Sequence, residues 1–222
     1  MHVGVICDDR YHPADVIIQG LAPFDAADQK SSISDESGKY YMDYILDTIN
    51  WSNEQLEKYG VVILAKGNAR SATDWSPWLT EDVQKAFVDF VERGGGLLVI
   101  HSGTVGYRDD PLLRNLIGGV FAHHPAPCAV TVETSENDVI SAIGVRTFEV
   151  HDEHYLMEMF GDDHNVFMTS TSAHGTQPAG WTRQQGKGRV CVLTPGHYGP
   201  VWQNPDYQCI IAAALNWCAG EN

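Results

Sequence analysis

Continuous apolar runs alternate with amphipathic stretches along much of this chain. Val3–Cys7, Val61–Ala65 and Leu97–Ile100 are unbroken apolar segments of the kind that strands buried on both faces require, and each gives way to a polar loop. After the first strand, Pro13 suits the opening turn of a helix reaching about Phe24, with Ala14, Val16, Ile17, Gly20 and Leu21 facing inward. Thr80, followed by Glu81 and Asp82, predicts a second helix start, and Val83, Phe87, Phe90 and Val91 form its buried stripe. The triplet Gly94-Gly95-Gly96 ends that helix, because glycine reaches positive φ without a Cβ clash. Asp110 is placed to cap a short helix through Leu112, Leu113 and Leu116 that stops at Gly118-Gly119. Between these elements, Ser31–Ser34 reads as a weaker strand and Tyr40–Ile49 has helix-like apolar spacing; residues 31–53 suit a lid or a partner surface equally.

The second half changes texture. Ala129–Glu133 alternates like an antiparallel or edge strand, and Phe148–Val150 leads into Asp152-Glu153-His154-Tyr155. Val166–Thr169, Ala179–Thr182 and Arg189–Leu193 read as further strands, the last two joined by a turn at Gly186-Lys187-Gly188, and a closing helix runs from about Asp206 to Cys218. No Pro- or Ser-rich linker divides the 222 residues, 43% of them apolar, so residues 1–222 are read as one domain with one substantial core. The alternation predicts a three-layer α/β domain of flavodoxin-like type with a mostly parallel central sheet.

Charge narrows the possible partners. Fourteen Lys and Arg face 29 Asp and Glu, a formal net charge of -15, and a field of that sign repels nucleic acid and anionic lipid surfaces. No apolar run approaches bilayer length and the chain opens directly into a strand, which predicts a cytoplasmic protein. Cys7, Cys128, Cys191, Cys209 and Cys218 are scattered with no C-x-x-C pair, so reduced thiols are expected rather than a zinc knuckle or redox motif. An open sheet edge and an apolar helix face would suit a homo-oligomer.

His101 arrives at the carboxyl end of a central strand, where open parallel sheets place their ligands, and His12 and His197 follow other strands in the same sense. Imidazole serves both proton transfer near neutral pH and divalent metal binding. Asp152 and Glu153 can add a metal ligand, a base, or the partner that orients an imidazole. There is no P-loop and no glycine-rich strand-to-helix turn, so nucleotide binding is not expected.

In their order along the chain, several segments resemble the ThuA-like family, named for trehalose utilisation. They are Cys7–Pro13, Gly94–Gly103, Gly118–Pro125, Phe148–Tyr155, Gly180–Val190, Gly196-His197 and Trp202–Pro205, and the resemblance covers nearly the whole length. It implies the fold of class I glutamine amidotransferases and a sugar-type substrate, a disaccharide or a keto-sugar derivative. Amidotransferase relatives need a cysteine nucleophile after the strand Leu97–Ile100; here the turn holds His101 and Ser102, and Ile-His-Ser-Gly-Thr lacks the leading glycine of a G-x-S-x-G elbow. Glutamine hydrolysis and serine hydrolysis are both disfavoured.

With a sugar in view, His101, Asp152, Glu153, His197 and Tyr155 are the catalytic candidates. Asp8, His12, His124, Arg183 and Trp202 are the substrate-binding candidates, His124 by family resemblance and Trp202 as a surface for a sugar ring; Trp181 suits stacking or packing within its strand. Two mechanisms compete. In one, a His with Glu153 or Asp152 moves protons beside a keto group, giving isomerisation, elimination or hydrolysis. In the other, a divalent metal such as zinc is held by ligands drawn from His12, His101, His124 and His197. No H-E-x-x-H signature is present, which puts the metal-free mechanism first. A sugar-binding or regulatory module without turnover is the other function class.

Overall fold

The three apolar runs lie side by side in one half of a nine-stranded sheet. The computed structural model describes residues 1–28, 39–136, 144 and 146–221. In chain order its strands are β1 (His2–Cys7), β2 (Tyr41–Ile45), β3 (Val61–Ala65), β4 (Gly96–Ile100), β5 (Gly119–His123), β6 (Cys128–Thr134), β7 (Thr147–Asp152), β8 (Leu156–Met159), β9 (Asn165–Ser172), β10 (Gly175–Gln185) and β11 (Gly188–Leu193). The helices are α1 (Ala14–Leu21), α2 (Glu81–Glu92), α3 (Pro111–Ile117), α4 (Gly199–Trp202) and α5 (Pro205–Cys218).

The sheet runs β2-β1-β3-β4-β11-β10-β9-β6-β7, while β5 and β8 form a separate two-stranded pair. The first five strands are mutually parallel. Beyond β11 every neighbour is antiparallel, so the sheet is mixed where a mostly parallel one was expected. A parallel neighbour needs a crossover of a dozen or more residues, usually a helix, whereas β10 and β11 are joined by the tight turn at Gly186-Lys187 and β9 and β10 by a similarly short link.

Alternate residues of the central strands feed opposite cores, which makes three layers. Val3, Val5, Leu98 and Ile100 pack with α1 and α5 on one face. Ile6, Val62, Leu97 and Val99 pack with α2 and α3 on the other. Each fully buried aliphatic side chain contributes about 1.5–3 kcal/mol over its exposed state.

Three local expectations are corrected. Tyr41–Ile45 is a strand in register with β1, because pairing along that backbone outweighs the helix-like spacing over Tyr40–Ile49. The first helix stops at Leu21 and becomes a 3-10 turn over Ala22–Phe24, since Pro23 has no N–H to continue an α-helix. Asp110 precedes α3 without a side-chain cap; its carboxylate accepts instead from Asn68 Nδ2 and Gln84 Nε2, both at 2.9 Å. The strand expected over Ser31–Ser34 lies outside the described residues.

The carboxyl ends of β1, β4 and β11 open on one rim. The turn after β4, His101–Thr104, is pressed so closely on β3 that a Cβ at Gly103 would overlap the Leu64 carbonyl oxygen. Close backbone contact therefore sets where His101 stands relative to its neighbours.

Candidate functional site

His101 leaves the extended Ile100 and adopts φ +47, a left-handed conformation that costs a residue with a Cβ about 1–3 kcal/mol. Its ring is nearly sealed from solvent, 1% exposed. Nδ1 lies 2.7 Å from the Thr194 carbonyl oxygen just beyond β11, and a carbonyl only accepts, so Nδ1 carries a proton and the neutral ring presents its lone pair at Nε2. The Tyr155 ring stacks on the imidazole at 4.0 Å between centroids and an interplanar angle of 23°.

His12 is oriented in the same manner by a different partner. Its Nδ1 donates to Asp9 Oδ1 at 2.8 Å, leaving Nε2 unprotonated. Asp9 Oδ1 also accepts from the backbone N–H of Tyr11 and His12, while Oδ2 accepts from Gly67 N–H at 2.9 Å, tying the loop after β1 to the loop after β3. Burial opposes the Asp9 charge, but the His12 hydrogen bond and charge and the backbone donors bring its pKa down to about 2. Burial pushes the His12 pKa down, which favours the neutral, lone-pair-bearing ring.

His197 follows β11 through Gly196, whose φ of +142 would strain any residue with a Cβ and where an added Cβ would crowd the His101 Cβ at 3.2 Å. Asp152 holds this loop, accepting from Gly196 N–H at 2.8 Å and from His197 N–H at 3.0 Å. The next residue, Glu153, turns into the cluster. Its Oε2 lies 3.2 Å from His197 Nδ1 and 3.6 Å from His101 Nε2, and its Oε1 is 3.5 Å from His124 Nε2. Burial opposes the Glu153 charge, yet the adjacent His101 and His197 rings prevail and its carboxyl falls well below the usual carboxylate range. The same contact raises His197 above the ordinary histidine pKa.

One ligand atom each from His12, His101, Glu153 and His197 lies within 4.8 Å of all the others. Among the described residues, His12 Nε2, His101 Nε2 and His197 Nδ1 are buried with no hydrogen bond of acceptable geometry. An unsatisfied buried polar atom costs about 1–3 kcal/mol, so three converging on one point call for a shared partner. Tetrahedral coordination at 2.0–2.1 Å sets ligand atoms about 3.3 Å apart, close to the 3.2 and 3.6 Å separations from Glu153 Oε2. Asp9, Asp152 and Glu153 put three carboxylates in and around the cluster, against the buried amine of Lys66, which donates to the Asp8 carbonyl. The four residues can hold a divalent cation, and Asp9 and Thr194 supply the outer hydrogen bonds that metal-bound histidines require.

A sequence profile described as "ThuA: Trehalose utilisation" matches residues 19–218. The chain belongs to the ThuA family. The match includes His101, Glu153 and His197, and His12 lies before its first residue. No curated protein matches the ThuA chain in sequence. Among solved structures, a protein from Bacteroides uniformis ATCC 8492 described as thua-like superposes with a TM-score of 0.73 at 17% identity, covering 98% of this chain and 91% of that one. Another described in the same way, from Parabacteroides merdae ATCC 43184, gives 0.74 at 14%, covering 100% and 91%. A protein of Salmonella typhimurium LT2 described as cytoplasmic gives 0.61 at 17%, covering 99% and 98%. Among the described residues of the ThuA chain, no helix is long and apolar enough to cross a membrane.

Of the residues expected at the site, His12, His101, Glu153 and His197 converge, with His124 at their edge and Tyr155 packed on His101. Asp152 stands behind them as a strut for the His197 loop. Three expectations are corrected. Asp8 accepts from Ala14 N–H at 3.1 Å and so tethers the start of α1, leaving its neighbour Asp9 to serve the cluster. Arg183 is engaged by Asp163 and by the carbonyls of Asn115 and Leu116 at the end of α3, none of which belongs to the cluster. Trp202 is 1% exposed, its indole N–H bonded to Gly196 O, and offers no face to a ligand; Trp181 is likewise buried, bonded to Ile117 O.

Sequence reasoning missed Asp9 and Thr194 as orienting groups. The i,i+3 spacing of Asp9 and His12 was a usable signal, whereas Thr194 acts through its backbone and carries none. Asp9→Asn keeps the size but turns an amide N–H2 toward either Gly67 N–H or the donors at Oδ1. If the four residues hold a cation, it is expected to weaken that affinity about 10–100-fold in a competition titration with a chelating dye. Unchanged affinity would show that Asp9 does not orient His12.

Proposed function

We propose that this ThuA-family chain is a sugar-catabolic enzyme whose His12, His101, Glu153 and His197 hold a divalent cation, zinc being the first choice for an imidazole-rich set. The observation that carries this reading is the convergence of three buried imidazole nitrogens, none with a hydrogen bond of acceptable geometry, around one carboxylate. Its substrate is read as a disaccharide or keto-sugar derivative, supported by the family's description. A cation bound here supplies Lewis acidity toward a sugar carbonyl or hydroxyl oxygen.

The protein's own groups account for the rest. Asp9 and the Thr194 carbonyl hold two imidazoles in the tautomer that points Nε2 inward. Glu153 divides its carboxylate between the cluster and His124. His124 is partly open to solvent and its Nδ1 is anchored to Pro125 O at 2.7 Å, so its Nε2 is placed to carry a proton between substrate and bulk water during isomerisation, elimination or hydrolysis. Five free cysteines suit a reducing cytoplasm.

The test is elemental analysis of protein purified without a histidine tag, followed by assay on trehalose and its oxidised keto derivatives before and after chelation. About one equivalent of metal per chain is expected, with activity lost in chelator and restored by a single added ion. Turnover by metal-free protein at an undiminished rate would return the metal-free acid–base mechanism to first place. Sugar binding without turnover under any metal loading would favour the binding-module reading.

A further inference from the structure

A groove of about 390 Å³ lies beside the cluster, lined by Glu149, Val150 and His151 of β7 and by Tyr198, Pro200, Val201 and Asn204 around α4. Its volume falls within the range of small-molecule sites, and its composition matches them, with apolar walls and a few polar groups at the margin. Tyr198 joins the groove to the cluster. One side of its ring meets the His197 imidazole edge-on at 4.5 Å, and the His151 ring lies 6.2 Å from it, inclined by 25°. The tyrosine is 36% exposed, so part of its surface remains open.

We propose that this groove is the subsite for the second ring of a disaccharide-sized substrate whose first ring reacts at the His12–His101–Glu153–His197 centre. The inference rests on reading that centre as sugar-acting. A pyranose presents C–H groups on its faces and hydroxyls around its edge. Tyr198 and Val201 offer the apolar surface that its faces need, while Glu149 accepts and His151 donates or accepts at the rim. Asn204 spends its side-chain oxygen capping α5, through Asp206 N–H and Tyr207 N–H, and its amide nitrogen is left to donate to a sugar oxygen. A substrate crossing Tyr198 would thus have one ring over the cluster and the other in the groove.

Calorimetric titration of metal-loaded protein with trehalose and with glucose tests this. Wild type is expected to bind trehalose about tenfold more tightly than glucose, a difference of about 1.4 kcal/mol. Tyr198→Ala removes the shared wall, and Glu149→Trp fills the groove from an exposed position that does not touch the cluster. Both should bring the preference to within about twofold. In Glu149→Trp, metal content should stay at the wild-type value, because the residue lies outside the His12–His101–Glu153–His197 cluster. A trehalose preference that survives in both variants overturns the groove assignment while leaving the sugar-acting centre intact. Failure of wild type to bind either sugar or the keto derivative of either overturns the sugar reading itself, and the subsite with it.

Discussion

On the proposed function, His101→Ala is expected to abolish cation binding at the centre and lower turnover by on the order of a thousand-fold, about 4 kcal/mol of transition-state stabilisation, while the chain remains folded. The imidazole contributes one of the three ring nitrogens that lie within 4.8 Å of one another and of a Glu153 oxygen, and it is also the ring against which Tyr155 stacks. Alanine keeps the Cβ, so the left-handed backbone at this position is no more strained than before. The lost packing affects one rim of the sheet, and the two large apolar cores are untouched. Elemental analysis, far-UV circular dichroism and the keto-sugar assay together provide the check. A folded His101→Ala protein that keeps its metal and its rate would remove His101 from the centre.

Asp152→Ala is expected to produce the largest loss of stability among substitutions near the site. The carboxylate is 1% exposed and is the acceptor for two buried N–H groups, Gly196 and His197. Truncation strands both donors, at about 1–3 kcal/mol each, and a total near 3 kcal/mol lowers Tm by about 6–12 °C in a domain of this size. It also frees the loop that aims His197, so metal affinity should fall together with Tm. Asp152→Asn retains one acceptor oxygen and should lie between the two. Calorimetry with a parallel metal titration separates the effects; an unchanged Tm in Asp152→Ala would mean that the two N–H groups find other partners.

The two substitutions act through different links of the same chain of cause. His101 is proposed to touch the cation, whereas Asp152 holds the backbone that presents another ligand. The neighbouring pair Asp8 and Asp9 shows the same division. One accepts from α1 and the other from His12, although both are aspartates at the end of the same strand. Their roles follow from direction, and the change of backbone conformation at Asp8, φ +74, is what sends the two side chains to different partners.

The amino-acid pattern by itself determined the parallel half of the sheet and the helices that cover it. Strands buried on both faces must be continuously apolar, and the amphipathic stripe from Val83 to Val91 has one way to hide its apolar side. It also placed His12, His101 and His197 beyond strand ends, because that topology sends every parallel strand out on the same rim. Tertiary structure alone decided that Tyr41–Ile45 pairs with β1, that the β11–β7 half is antiparallel, that Trp202 is buried under the His197 loop and that Arg183 engages Asp163. Likewise, only through-space geometry brings those three histidines within reach of one another and chooses Glu153 over Asp152 as their carboxylate. Burial and local periodicity are one-dimensional and can be read residue by residue. A coordination set depends on distances of a few ångströms between residues up to 185 positions apart, and on tautomers fixed by a carboxylate and a backbone carbonyl.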